Sequence, residues 1–417
     1  MTNLHASGVV AGTRNRSRPR AALPALCATQ ITSWGVVYYA FPVLNSRITA
    51  DTGWSTTSTT AAFSGALLVS AITGIPVGRI LDRRGPRAVM TLGSVLGVTA
   101  VLLIASAPNL MVFTAGWLLA GMAMAATFYQ PAFAAVTRWW GPDRVRALTV
   151  VTLAGGLAST AFAPLTATLA EHLSWRATYV VLAAILAAVT IPAHALALRA
   201  PWPAAPPRPA QHANGSWSVA RSRPFLMLAA AFTLNSFAMY AVVIALVPLL
   251  MARGAAPTAA AWILGLGGAG QTLGRTLYAT LSKRTGVTTR TVTLIAAGGG
   301  TTVAFAAISG PLPLLVLLAV VAGMVRGNLT LLQATAVTDR WGTSDYARLS
   351  ALLAAPATVA SAIAPFAGAA LATSLGGYPV LFMLLAAVSA IAGVLALGGN
   401  PLRRDAEGAE LVVGVTR

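Results

Sequence analysis

Two arginines, Arg275 and Arg326, stand inside apolar runs long enough to cross a bilayer, and no acidic residue accompanies them. All nine acids fall at the ends of such runs or outside them. Asp51 and Glu171 lie on one side, Asp82, Asp143, Asp339 and Asp345 on the other, and Asp405, Glu407 and Glu410 near the carboxyl terminus. Arginine at the centre of a membrane helix costs at least about 2.5 kcal/mol on insertion scales. Without a carboxylate it needs water, backbone carbonyls or an incoming anion. The planar guanidinium fork matches a carboxylate in a bidentate way, so the pattern points to an anionic ligand. Gln271 lies one helical turn before Arg275, and Thr330 and Gln333 lie one and two turns after Arg326. Each arginine therefore heads a polar stripe, and the stripes are expected to line a cavity. Two structural alternatives stay open: Arg275 snorkelling to the membrane surface, and Arg326 bonded to carbonyls.

A second set of residues could stack on and hydrogen-bond a flat substrate. Gln30, Trp34 and Tyr38 share one helical face, Tyr129 lies in the fourth apolar run, and Asn235 and Tyr240 lie in the seventh. The same spacing also serves helix packing. His194, near the end of the sixth run, could titrate near neutral pH but reads more readily as structural. The single cysteine, Cys27, forms no intrachain disulfide. The sequence has no GxxxxGK[ST] loop and no Ser/His/Asp, zinc or haem constellation, so neither ATP hydrolysis, nor a cofactor, nor enzymatic chemistry is expected.

The elements that must position these residues follow from composition. Of 417 residues 57% are hydrophobic and 9% charged, with mean hydropathy +0.75, far from the quarter charged typical of soluble domains. At about 20 apolar residues per crossing, the runs divide into twelve expected spans: 21–45, 57–81, 88–107, 110–137, 147–171, 177–199, 224–251, 258–282, 291–309, 312–338, 347–373 and 378–398. The net charge of +19 would suggest nucleic acid in a soluble protein. Here its distribution explains it. With the amino terminus inside, the inner loops and tails hold 23 Lys and Arg, and the outer loops hold Arg47, Arg176 and Arg253. The positive-inside rule then places both termini in the cytoplasm, with the lipid bilayer and no nucleic acid as partner.

The expected organisation is a cytoplasmic tail (1–20), a six-helix bundle (21–199), a proline-rich cytoplasmic linker (200–223), a second six-helix bundle (224–398) and a tail (399–417). The bundles repeat at an offset of about 200 residues. Gly121-Met122 matches Gly323-Met324, Arg138-Trp139 matches Arg340-Trp341, Asp143 and Arg146 match Asp345 and Arg348, and Pro164 matches Pro365. Two similar bundles around a central cavity suit alternating access.

Between the second and third spans runs Gly78-Arg-Ile-Leu-Asp82-Arg83-Arg84-Gly85-Pro86-Arg87. This closely resembles the loop signature of the major facilitator superfamily, with Pro86 in place of a basic residue. The resemblance implies twelve membrane helices in two pseudo-repeated bundles, a secondary transporter working as a monomer, and a gating role for Gly78, Asp82, Arg83, Gly85 and Arg87, with Asp82 facing the start of the eleventh helix near Asp345 and Arg348. The second-half counterpart, Ser282-Lys-Arg-Thr-Gly286, lacks the aspartate. A cationic residue in the eighth helix also resembles the oxalate/formate and monocarboxylate branch. The drug/proton antiporter signatures of the fourth and fifth helices are missing. The function expected is transport of a small organic anion of carboxylate type, aromatic ones included, across the cytoplasmic membrane, with protons as a candidate coupling ion. The alternative is export of neutral or cationic hydrophobic compounds.

Overall fold

A computed structural model describes residues 19–202, 215–342 and 346–400. Arg14, Arg16 and Arg18, most of the linker, Asp345, the Arg348 side chain and the basic carboxyl tail lie outside the described residues. The regular structure among the described residues is helical, with the long helices in twelve segments. The first six are α1 (Ala22–Trp34, a π-helical turn Gly35–Tyr39, then Ala40–Thr52), α2 (Thr56–Arg84), α3 (Pro86–Ala105), α4 (Leu110–Thr127 and Tyr129–Trp140), α5 (Arg144–Gly156 and Ala158–His172) and α6 (Trp175–Pro192, with a π-helical turn Ala193–Ala197). The last six are α7 (Arg223–Ala252), α8 (Pro257–Arg284), α9 (Val287–Ala307), α10 (Leu312–Thr335), α11 (Tyr346–Ser374) and α12 (Tyr378–Leu397). Nine segments among the described residues are long and apolar enough to cross a membrane. The other three are α1, whose apolar run is diluted by Thr29, Gln30, Thr32 and Ser33, and α8 and α9, whose runs are diluted by glycine, threonine and arginine.

Two boundaries differ from expectation for local reasons. α1 runs on to Thr52, so Arg47 belongs to a helix and not to an outer loop. The chain stays helical past the apolar run until Gly53, at φ 72°, supplies a left-handed stop. At the other end of the molecule, the expected loop after the second span shrinks to one residue. Gly78, Asp82 and Arg83 sit in the last turns of α2, Arg87 sits in the first turn of α3, and only Gly85 separates the two helices. Gly85 holds φ +77°, and a Cβ there would press on Trp202. Pro86 then opens α3, where a missing N–H costs nothing.

Glycines set the closest helix contacts, as they must where a bilayer offers no hydrophobic force between helices. A side chain at Gly323 would run into the Gly267 carbonyl, and one at Gly327 into that of Gln271, so α10 lies backbone against backbone on α8. Gly121, the repeat equivalent of Gly323, meets the Ala66 carbonyl in the same way, fitting α4 against α2. The repeat thus preserves a packing contact. Contacts between the first six and last six helices run through α2–α11, α5–α8 and α1–α7.

At the end opposite the Asp82 turn, arginines cap helix carboxyl ends, where orphan carbonyls need donors. Arg253 donates to the carbonyls of Phe305, Ala306 and Ile308 at the end of α9, and Arg176 donates to those of Ala105 (3.0 Å) and Ala107 (2.7 Å) at the end of α3.

Gly323→Ala is expected to cost about 1–3 kcal/mol, the range for overpacking, in thermal melts of the purified protein. Gly300→Ala, where a Cβ meets nothing within 4 Å, should leave the melt unchanged.

Candidate functional site

A break in α4 builds the first wall of the site. Pro131 has no N–H to give the Thr127 carbonyl four residues earlier, and the helix opens at Phe128, which is extended. Gln30 of α1 fills the vacancy, its Nε2 donating to the Thr127 carbonyl at 2.7 Å. Gln30 is therefore fully buried between α1 and α4 and does not reach a cavity. The break turns Phe128 and Tyr129 inward. Phe128 stacks on Trp34 with ring centroids 4.1 Å apart, and Tyr129 lies tilted beside it at 5.3 Å.

These rings wall a central cavity of about 280 Å³ between the two sets of helices. Trp34, Tyr38 and Tyr129 line it from the first half, and Tyr240, Thr358 and Ser361 from the second. Toward the end opposite the Asp82 turn the halves meet: the Phe366 N–H donates to Ser64 Oγ at 3.0 Å, Thr160 Oγ1 donates to the Gly265 carbonyl at 2.8 Å, and Thr258 bonds Glu171. At the basic end, α4 and α10 take no part in the main pairings between the halves.

Arg275 does not line this cavity. It is buried one layer back, where its Nη1 donates to the Thr152 carbonyl of α5, across the boundary between the halves, close behind Tyr129. Thr272 reinforces the crossing with a bond to the Leu153 carbonyl at 3.4 Å. Gly155 and Gly156 leave room for it: side chains there would collide with the Tyr129 hydroxyl and with Thr272.

Arg326 is placed differently. It lines a separate cavity of about 60 Å³ inside the second half, with Asn235 on the same wall. Its Nε and Nη2 are buried with no hydrogen-bond partner among the described residues. Tyr38 and Tyr240 are close enough to interact with it electrostatically. Gln271 is buried against α10, the Thr330 hydroxyl bonds back to the Arg326 carbonyl, and Gln333 stands further along α10. None of these three lines either cavity, so the expected polar stripes are not cavity walls. Backbone-to-backbone packing of α8 on α10 buries Gln271, whereas Thr330 is exposed. His194 is also remote, fully buried between α3 and α6, and its Nδ1 shares a 2.7 Å hydrogen bond with Ser94 Oγ.

At the basic end, Asp82 pairs with Arg138 of α4 at 2.6 Å. Arg138 and Trp202 also donate to the Asp82 carbonyl, and Arg87 donates to the Ala195 carbonyl in the π turn of α6. Arg83 is exposed, and a Cβ at Gly78 would meet nothing within 4 Å. The start of α11 proposed to face Asp82 includes Asp345, which lies outside the described residues. The second half carries a bridge of its own. Arg290 at the start of α9 pairs with Asp339 after α10 at 2.6 Å, and Arg340 beside it donates to Thr291 Oγ1 at 2.9 Å. Burial lowers the Arg340 guanidinium to about 10, so it is still charged at neutral pH. The sequence hid this bridge because its cation stands at the start of α9 and not at the end of α8, where the counterpart of Asp82 would fall; Asp339, next to the repeat arginine Arg340, was the available signal.

The family model "Major Facilitator Superfamily" matches residues 26–311 and 228–411. The chain belongs to the major facilitator superfamily, a family of membrane transporters and not of enzymes. The MFS-type transporter YcxA of Bacillus subtilis is 27% identical over 127 residues, which is 30% of this chain and 31% of that protein. The match therefore spans about a third of the relative's length. Two solved structures share the fold at 14% identity. The nucleoside transporter NupG superposes with a TM-score of 0.76 over 91% of this chain and 99% of its own. A bacterial homolog of the human lysosomal transporter Spinster, inward-facing and occupied, superposes at 0.70 over 92% and 97%.

The two bridges should respond differently to loss of a partner. In the first, the side chains of Arg138 and Asp82 are 13% and 59% exposed, so Asp82→Asn should change unfolding stability by less than about 1 kcal/mol. In the second, the values are 4% and 26%, and Asp339→Asn, which strands the buried Arg290 guanidinium, should cost about 3 kcal/mol. Chemical denaturation of both variants in detergent checks this.

Proposed function

We propose that this transporter moves a small organic anion of carboxylate type across the cytoplasmic membrane by alternating access. The observation that carries the reading is the Arg326 guanidinium, buried with Nε and Nη2 unpartnered and with no carboxylate beside it among the described residues. An incoming anion supplies what the bundle withholds. Trp34, Tyr38, Tyr129 and Tyr240 form the approach, aromatic surfaces with hydroxyls that suit a flat or aromatic carboxylate. Asn235 stands beside Arg326 as a neutral donor. Arg275 acts from behind Tyr129.

In this reading the basic end faces the cytoplasm, as the positive-inside rule requires, and both termini lie there. The moving bodies are 21–199 and 224–398, joined by the linker 200–223, in a monomer. The state described has the halves joined on the outer side by Ser64–Phe366 and Glu171–Thr258. Closing the cytoplasmic side engages Gly78, Asp82, Arg83, Gly85 and Arg87 against α11. Protons, if they are coupled, travel with the substrate, because neither cavity is lined by an Asp, Glu or His.

Uptake of radiolabelled carboxylates into vesicles reconstituted with the purified protein tests this. Wild type should accumulate at least one of them. Arg326→Gln should lose tenfold or more of the flux, and Arg326→Lys should keep part of it. Unchanged flux in Arg326→Gln, together with transport of lipophilic cations, would replace this reading by export of hydrophobic compounds.

A further inference from the structure

The cavity at Arg326 lies within one half of the molecule, and apolar side chains dominate its wall. Met239, Val243, Leu246, Leu264, Phe305 and Leu329 surround it, and Asn235, Thr301, Thr302 and Ser389 interrupt it with neutral polar groups. Arg326 is the one charged residue on that wall. A volume of about 60 Å³ holds roughly four to six waters at 10–15 Å³ each, which corresponds to a hydrocarbon group of about four to six carbons.

The two donors without partners, Nε and Nη2 of Arg326, form the edge of the guanidinium that accepts a carboxylate side-on through two parallel hydrogen bonds. One wall thus carries both an unfilled apolar volume and an unfilled bidentate edge. Arg275, whose Nε is also without a partner, is held by its Nη1 bond to the Thr152 carbonyl and lines neither cavity, so no unfilled volume accompanies it. Arg326 also interacts electrostatically with Tyr38 and Tyr240 of the central cavity, so it stands between the two spaces.

We infer that the second-half cavity is a side pocket for the hydrocarbon part of the substrate. A single carboxylate sits on Nε and Nη2 of Arg326, and a branched or cyclic apolar body of about four to six carbons fills the space between α7, α9 and α10. This rests on the anion reading above and narrows it, because a second carboxylate would enter an apolar pocket with no second cation.

Thermal stability of the purified protein against acetate, isovalerate, cyclohexanecarboxylate, malonate and succinate tests the inference, since a ligand that binds only the folded state raises stability with its concentration. Each buried methylene strengthens binding about fourfold, so isovalerate and cyclohexanecarboxylate should bind tenfold or more tighter than acetate or succinate. Ala322→Leu, which fills the pocket, should lower both to the affinity of acetate. Leu246→Ala, which enlarges it, should move the optimum to a longer body and keeps the test decisive if the filled variant does not fold. Equal or tighter binding of the dicarboxylates, or undiminished selectivity in both pocket variants, overturns the side pocket and leaves the anion site standing. If no carboxylate of either kind stabilises the wild type, or if Arg326→Gln responds as the wild type does, the anion reading falls and the side pocket with it.

Discussion

An arginine in the interior of a membrane bundle must find partners for five N–H groups, and that demand organises the second half of this molecule. α8 and α10 approach until only glycine fits between them, at Gly267, Gly323 and Gly327. Each helix carries one arginine. The close approach leaves the two guanidinium groups on opposite sides of a common spine, where they meet different surroundings. Arg275 reaches across to the first half and takes the Thr152 carbonyl. Arg326 stays within its own half, with a carboxylate-binding edge unfilled.

That division bears on how two bundles can work as one device. A bond from Arg275 to a carbonyl of α5 ties the halves beside the central cavity, close behind Tyr129 of the cavity wall. The glycines of α5 make the crossing possible, since a side chain at Gly155 or Gly156 would displace Tyr129 or Thr272. The bridges at the basic end lie within each half, Asp82 with Arg138 and Arg290 with Asp339. They brace the ends of the helices without spanning the boundary. Each half thus has a brace of its own, with the acid the more exposed partner in both and the cation buried more deeply in the second.

Much of this was legible before any coordinates, because bilayer physics leaves few choices. Apolar run lengths located the helices, and the twelve-span reading departed mainly at α1, where Thr52 replaced 45 as the end because helix termination depends on Gly53 and not on hydropathy. The signature around Asp82 pointed to the family through residue types alone. What the sequence hid depends on a third dimension. Gln30, Trp34 and Tyr38 share a helical face, yet Pro131 of another helix decides that Gln30 is spent on the Thr127 carbonyl while the two rings face the cavity. Likewise Gln271, Thr330 and Gln333 hold the right spacing beside the arginines, but helix contact takes Gln271, and Thr330 is exposed away from both cavities.

The central claim is that Arg326 holds its charge for a ligand and not for the fold. Isothermal titration of a saturating carboxylate into wild-type protein, Arg326→Lys and Arg326→Gln tests it most directly. The account predicts one site per chain in the wild type, weakened binding in the lysine variant and none in the glutamine variant, with all three proteins folded to similar melting temperatures. Full binding by a folded Arg326→Gln would contradict it.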